Sequence, residues 1–497
     1  MKYISTRNSF ALVSGAQAVF KGLSDDGGLF VPERFPELGD LSRFCDMKYP
    51  DLAYEIFKLY LTDFSDGEVR NAVNSAYGDN FDTPDIVAVP HLTDEIYMLE
   101  LWHGPTCAFK DMALQALPHL LTASAEKVSD GKEAVILVAT SGDTGKAALE
   151  GFRDVPGTRI MVFYPENGVS EMQKRQMTTQ EGDNVGVCGV RGNFDDCQNA
   201  VKEIFNNSEI KKKLFDKNMI FSSANSINWG RLLPQIVYYI FSYVRFLKDN
   251  IIENGEKINI VVPTGNFGNI LAAYIAMEMG LPVNRLICAS NSNKVLTDFI
   301  NTGVYDRNRK FTATVSPSMD ILISSNLERL LYLLCGRDDQ IIVKWFGELK
   351  QFGRYQVYDD VRGKMGKLFY GGYCDEEGTI RTVKEVFDGY SYLLDTHTAV
   401  AYSVYKDYKL KTGDKTKTIV ASTANPYKFV NAVYKSLTGE SPIEKDEFKN
   451  AEIVEKITGV KMPAALREMR NKPTRFSKSV EREEIASAVL EFIGDVK

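Results

Sequence analysis

Short apolar runs alternate with longer amphipathic stretches along most of this chain. The runs Ile96 to Leu101, Ala134 to Ala139, Arg159 to Tyr164, Asn259 to Pro263, Arg285 to Ser290 and Thr418 to Ser422 are too short for helices. They are rich in β-branched residues, so they read as buried strands. Strands that alternate with helical patterns predict parallel sheets covered by helices, an α/β fold. The longest apolar stretch, Leu232 to Leu247, is interrupted by Gln235, Ser242 and Arg245. It falls short of a membrane-spanning helix and reads as a buried core helix with Pro234 in its first turn. The first ninety or so residues differ: turn clusters such as Asp25-Asp-Gly-Gly28 separate helical patterns such as Leu52 to Leu61, which predicts a separate helical region.

Two of the predicted strands run directly into glycine-rich turns that open helical patterns. Thr140-Ser-Gly-Asp-Thr-Gly145 follows the first, and Thr264-Gly-Asn-Phe-Gly-Asn269 follows the second. Glycine lets a backbone approach a ligand closely, and the first turn of a helix offers unpaired N–H groups at the positive end of its dipole. Both turns therefore suit anions, and both lie beyond the carboxyl ends of strands, where open α/β sheets bind ligands. Neither is a nucleotide signature. A P-loop would need glycine at Thr140 and a hydroxyl residue at Ala147, and neither turn reads G-x-G-x-x-G. A plain strand-to-helix connection is the alternative for each.

A lysine adds chemistry to this arrangement. Lys110 stands between Phe109 and Asp111, after the rigid turn His103-Gly-Pro-Thr106 and before a helical pattern. That placement suits an amine buried in its uncharged form, able to form a Schiff base with a carbonyl. Alone, the segment reads more simply as a surface lysine; two anion-binding turns beside it change the balance.

Composition narrows the class. At 497 residues the chain predicts about three lobes. Hydrophobic content of 44% with 25% charged residues is that of a globular protein. A formal charge of -7 argues against nucleic acid or an anionic membrane as partner, so any anionic ligand must be held by local groups. The cysteines show no C-x-x-C spacing and the four histidines no ligand spacing, so no metal site or disulfide scaffold is expected. The first residues lack a signal-peptide core, and a reducing cytoplasm is the expected setting.

Taken in order, the Lys110 segment, both glycine turns and the late run Ser422-Thr-Ala-Asn-Pro-Tyr-Lys-Phe429 resemble those of threonine synthases. Further stretches agree: Tyr3-Ile-Ser-Thr-Arg7, Gly22 to Pro32, Gly192 to Gln198, Asn225 to Arg231, Ser316-Pro-Ser-Met-Asp-Ile321, Ser325 to Leu331 and Asp395-Thr-His-Thr-Ala-Val400. The resemblance spans nearly the whole chain. It implies a pyridoxal-phosphate enzyme of fold type II, the tryptophan synthase β-like fold, with two α/β lobes and a helical N-terminal domain. The implied domains are 1–90, a large cofactor-binding lobe of 91–125 and 226–497, and a small lobe of 126–225.

The resemblance also implies roles. Lys110 would anchor pyridoxal 5'-phosphate and act as its acid-base group. Gly265, Asn266, Phe267, Gly268 and Asn269 would wrap the cofactor phosphate, and Thr423, or less simply Ser422, would meet the ring nitrogen. Ser141, Gly142, Asp143 and Thr144 would grip the substrate α-carboxylate, through N–H groups and hydroxyls, with Asp143 orienting the turn. Asn225 and Arg231 would bind the phosphate of the expected substrate, O-phosphohomoserine. A monomer is favoured.

Departures from the family pattern are Asn425 where His is common, Tyr427 for Ala, Thr396 for Pro, and Lys146 where a small residue follows the turn. Lys146 is expected to point into solvent. The alternatives are another fold-type-II lyase, such as a serine or threonine dehydratase or a β-replacement enzyme, and a threonine-synthase-like protein that binds a phosphorylated metabolite with little catalysis.

Overall fold

The six predicted strands assemble into two parallel sheets in a computed structural model that describes residues 1–442 and 446–494. The larger sheet runs, edge to edge, through Phe369–Tyr373, Val283–Ser290, Ile258–Pro263, Thr418–Ser422, Ile96–Glu100 and His91–Thr93. All pairs are parallel except the last, which is an antiparallel edge. Helices cover both faces, so Ile260, Val261 and Val262 are all fully enclosed whichever way they point. The smaller sheet runs Ser479–Val480, Val185–Val190, Thr158–Pro165, Glu133–Ala139 and Met219–Ser222, all parallel.

The apolar stretch near residue 240 is the helix Trp229–Lys248, and nearly all of it is buried. It begins earlier than the hydrophobic pattern suggests, because the Asn228 side chain accepts the Gly230 N–H at 2.8 Å and caps it. Pro234 therefore lies in the second turn. Gln235 Nε2 bonds the Arg231 carbonyl at 2.7 Å beside it.

Two boundaries differ from the sequence expectation. The N-terminal region has its helices, Gly15–Lys21, Tyr49–Tyr60 and Asp66–Ala76, and also a three-stranded antiparallel sheet of Asn8–Val13, Tyr3–Ser5 and Phe30–Pro32. Tyr3 and Tyr60 pack on Trp229 with ring centroids 5.4 Å away in each case, fixing this region to the long helix. The chain end does not stay with the large lobe, as the 226–497 assignment had it. Ser479–Val480 pairs with the exposed edge of Val185–Val190, and Ile485 and Val489 bury themselves in the small lobe's core with Val135 and Leu137. An unpaired strand edge and an uncovered apolar face are both satisfied that way.

No helix among the described residues is long and apolar enough to cross a membrane. Both glycine turns, the Lys110 segment and the Thr423 strand end all follow the carboxyl ends of strands.

Candidate active site

Lys110 is presented by a loop laced onto a neighbouring strand end. Leu101 N donates to the Ser422 carbonyl at 3.0 Å, Phe109 N to that of Thr423 at 2.9 Å, and Asn425 N to that of Cys107 at 3.0 Å. The loop is tightened by Asp111, whose carboxylate accepts the Thr106 N–H at 2.8 Å and its hydroxyl at 2.6 Å. Burial pushes the Asp111 carboxyl up to about 6, against these hydrogen bonds. A Cβ at Gly104 would stand 2.6 Å from Asp111, so the turn closes only with glycine there. Lys110 is 8% exposed. Its Nζ lies 3.4 Å from Ser318 Oγ, 3.7 Å from Asp143 Oδ2 and 4.8 Å from the centre of the Phe109 ring. Burial lowers the affinity of this amine for a proton; Asp143 opposes that and Lys428 and Arg231 reinforce it.

The turn after Ile258–Pro263 is braced from behind. Gly265 packs so closely that a Cβ would lie 2.6 Å from the Ser318 carbonyl oxygen. Ser324 Oγ donates to the Gly265 carbonyl at 2.7 Å, and Asn326 donates to that of Asn266 through its N–H at 3.1 Å and its Nδ2 at 3.0 Å. Phe267 is left-handed, with φ 62°, which turns the chain into the helix Gly268–Glu278. The first-turn N–H groups of that helix have no intrahelical acceptor. Asn269 accepts a hydrogen bond from the Tyr239 hydroxyl, while its buried Nδ2 has no partner among the described residues. A donor left bare in this way suits an anionic ligand. Of the two candidate hydroxyls, Ser422 Oγ is taken up by Trp102 Nε1 at 3.0 Å. Thr423 is buried at the strand end, its N–H 3.4 Å from the Thr398 hydroxyl.

The other turn is held differently. Thr140 Oγ1 accepts the N–H groups of Gly142 at 3.0 Å and Gly145 at 2.9 Å, curling the turn on itself. Ser141 is exposed and Thr144 half-buried. Asp143 is buried, receiving Gln173 Nε2 at 3.0 Å and Lys428 Nζ at 3.1 Å. Burial pushes its carboxyl up, but Lys428 and Lys110 outweigh that and hold it well below the usual range. The charge of Asp143 is thus spent inside the protein, on two lysines. Arg231 is buried, bonds the Ala224 carbonyl at 2.6 Å, and its Nε has no partner among the described residues; burial pushes its guanidinium down to about 10. Asn225 is exposed, and no hydrogen bond joins its side chain to Arg231 among the described residues. Lys146 does not face solvent. It is enclosed, paired with Glu150 at 2.9 Å and bonded to Gln180 Oε1 at 2.5 Å.

With this geometry in view, models of three families match consecutive parts of the chain: "Threonine synthase N terminus" over residues 2–77, "Pyridoxal-phosphate dependent enzyme" over 83–343, and "Threonine synthase, C-terminal" over 398–493. A threonine synthase of Saccharomyces cerevisiae is 37% identical over 475 residues, which are 89% of this chain and 91% of that protein.

The chain belongs to the threonine synthase family.

Solved threonine synthases agree with it in fold. The yeast structure superposes with a TM-score of 0.88 at 34% identity, covering 100% of this chain and 99% of that one. The structure described as PLP-bound threonine synthase from Brucella melitensis gives 0.88 at 33%, covering 99% and 98%. Threonine synthase-like 1 of Macaca fascicularis is 42% identical over 435 residues, 85% of this chain. This chain spans only 58% of the length of that relative. The cofactor of this threonine synthase family member is pyridoxal phosphate, and a buried lysine, an Asn269 Nδ2 without a partner among the described residues and the Thr423 strand end fit it.

Several site residues went unassigned from the sequence. Ser318, the hydroxyl nearest Lys110 Nζ, donates its N–H to His397 Nε2 at 3.1 Å, which places the ring proton on Nδ1, facing Asp395 at 3.0 Å. Arg329, fully enclosed, bonds the carbonyls of Phe30 at 3.0 Å and Ile227 at 2.5 Å and Asn326 Oδ1 at 2.5 Å. Asn326 also reaches the Ser226 carbonyl at 3.2 Å. The N-terminal region, the Asn225–Arg231 segment and the Asn266 turn are thereby tied together. Every one of these residues lies in a motif visible in the sequence, where only their spacing, not their partners, was legible.

Proposed function

We propose that this chain is a threonine synthase, converting O-phospho-L-homoserine and water to L-threonine and phosphate by γ-elimination and β-addition of water, the last step of threonine biosynthesis. The observation that carries this reading is a buried lysine set between two separate glycine turns suited to anions, with Arg231 buried nearby and its Nε without a partner among the described residues. A substrate with both a carboxylate and a phosphate, processed on a phosphorylated cofactor, needs that many anion sites.

Gly265, Asn266, Phe267, Gly268 and Asn269 hold the cofactor phosphate, and Thr423 meets its ring nitrogen. Pyridoxal phosphate, when bound, supplies an electron sink for charge developing on the substrate carbons, and a neutral hydroxyl at the ring makes that sink a mild one. Ser141, Gly142, Asp143 and Thr144 seat the α-carboxylate through N–H groups and hydroxyls. Arg231 takes the substrate phosphate, where a planar guanidinium suits a tetrahedral dianion, and Asn225 at the mouth assists. Lys110 removes the proton from Cα and then from Cβ, so that phosphate leaves from Cγ with one proton; as water gives its hydroxyl to Cβ and its remaining proton to the site, one proton goes to Cγ, which becomes the methyl carbon, and one returns to Cα. Its lowered basicity leaves more of the amine in the free form that this work requires. The protein acts as a monomer in a reducing cytoplasm, in keeping with its seven free cysteines.

A second reading follows from the 42% identity to a protein named threonine synthase-like 1: a related lyase, or a protein that binds a phosphorylated metabolite. One assay separates the two. Purified protein given the cofactor and O-phosphohomoserine is expected to release threonine and phosphate in equal amounts, and Lys110→Ala and Lys110→Arg to release neither, because a guanidinium stays protonated. Keto acid from serine or threonine without threonine from O-phosphohomoserine would overturn the proposal.

A further inference from the structure

Lys428 is a fully enclosed cation that the proposed reaction does not use. It sits in the short turn Pro426–Phe429, just past the strand end that carries Thr423. An ammonium has three donors, and three acceptors meet them here: the Thr106 carbonyl at 2.8 Å, Gln176 Oε1 at 3.1 Å and Asp143 Oδ1 at 3.1 Å. The first belongs to the loop that presents Lys110. The other two lie on small-lobe helices, Glu171–Thr178 and Asp143–Phe152. The second oxygen of Asp143 faces Lys110 Nζ at 3.7 Å. One carboxylate thus stands between two lysines, one oxygen toward each. A buried charge is tolerated only when it is paired and hydrogen-bonded, so each member depends on the others.

We propose that Lys428 is a positioning residue that fixes the Asp143 carboxylate, and through it the charge facing Lys110 and the seat of the Ser141–Thr144 turn against the large lobe. This rests on Lys110 carrying the cofactor, and not on which substrate is used. The other charged or titratable groups facing this centre are Arg231, Asp111, His397 and the Cys107 thiol. With Lys428 in place, Asp143 is shared. Without it, Asp143 turns wholly toward Lys110, and a positive neighbour is lost as well; both changes favour the protonated amine.

The test is the pH titration of the visible absorption of the cofactor-loaded protein, with no substrate present. Lys428→Met is expected to move the midpoint upward by about one pH unit, the tenfold change that a lost charge contact of this kind gives. Asp143→Asn alone moves it downward. In the Asp143→Asn background, Lys428→Met is expected to move it by less than half as much. An equal shift in both backgrounds, or none in either, would overturn the proposal. Should Lys428→Met alone not fold, the double variant, with its charges balanced, is compared with Asp143→Asn: midpoints less than about half a unit apart support the proposal and midpoints about one unit apart contradict it. A wild-type protein with no Lys110-dependent absorption would instead sink the assignment of Lys110 itself.

Discussion

The two glycine turns occupy equivalent places, each between a parallel strand and a helix, yet they are held in different ways. The turn at Thr264–Asn269 is backed by the Ser318 carbonyl, Ser324 and Asn326, all from the large lobe. The turn at Thr140–Gly145 is curled on the Thr140 hydroxyl and reaches the large lobe through Asp143, with Ser141 in solvent. One is a finished cradle, suited to a cofactor that stays. The other hangs on a charged contact, suited to a substrate that comes and goes. Stiffness here follows from what stands behind the turn rather than from glycine content, which is the same in kind.

Glycine substitutions should separate the two most widely. Gly265→Ala drives a Cβ into a carbonyl oxygen that cannot yield without shifting Ser318, so cofactor affinity is expected to fall about a hundredfold, roughly 2.7 kcal/mol, in a fluorescence titration. Gly142→Ala meets the end of the flexible Gln173 side chain at 2.4 Å and a φ of 139°, a strain of about 1–3 kcal/mol. Its expected effect is a higher KM for O-phosphohomoserine with cofactor affinity unchanged. Equal losses of cofactor in the two variants would erase the distinction.

A smaller effect is expected at Asn269. Asn269→Asp keeps the acceptor for the Tyr239 hydroxyl and replaces the bare Nδ2 by an oxygen, so cofactor affinity should fall about tenfold, ~1.4 kcal/mol, and the cofactor-free protein, with a carboxyl buried where an amide stood, should melt lower. An unchanged affinity would remove Asn269 from the phosphate site.

A last effect, on stability rather than on binding, lies behind the substrate turn. Glu150 is buried, which pushes its carboxyl up, but Lys146 and Arg153 hold it down at about 2. A carboxylate depressed in the folded state adds stability above its unfolded value near 4.5, and loses that contribution as pH falls toward about 2. Lys146→Met should cost about 1.5–3 kcal/mol at neutral pH, since Arg153 at 3.0 Å and Gln180 still hold Glu150. The difference from wild type should shrink across that acid window in denaturant titrations. A pH-independent difference would leave packing alone as its cause.

The large parallel strands were legible because both their faces are buried, so β-branched residues run without a break. The N-terminal strands were not, being mostly three residues long, and Phe369–Tyr373 hides behind two glycines. Lys146 illustrates the limit for single residues. Its partner Glu150 lies one helical turn on and was readable, but Gln180 arrives from another segment, and burial overrides the usual exposure of lysine. Thr423 and Ser422 were not separable by pattern, since what distinguishes them is Trp102, which lies 320 residues before Ser422 in the chain. Lys428 stood inside a recognised motif, yet its three acceptors come from three other segments.

The account turns on Lys110 as the residue that carries the cofactor between the two turns. Borohydride reduction of the cofactor-loaded protein, followed by mass mapping of its peptides, tests that most directly. A pyridoxyl group on Lys110, and its absence from Lys146 and Lys428, is the predicted result. A pyridoxyl group fixed at any other lysine would contradict the account.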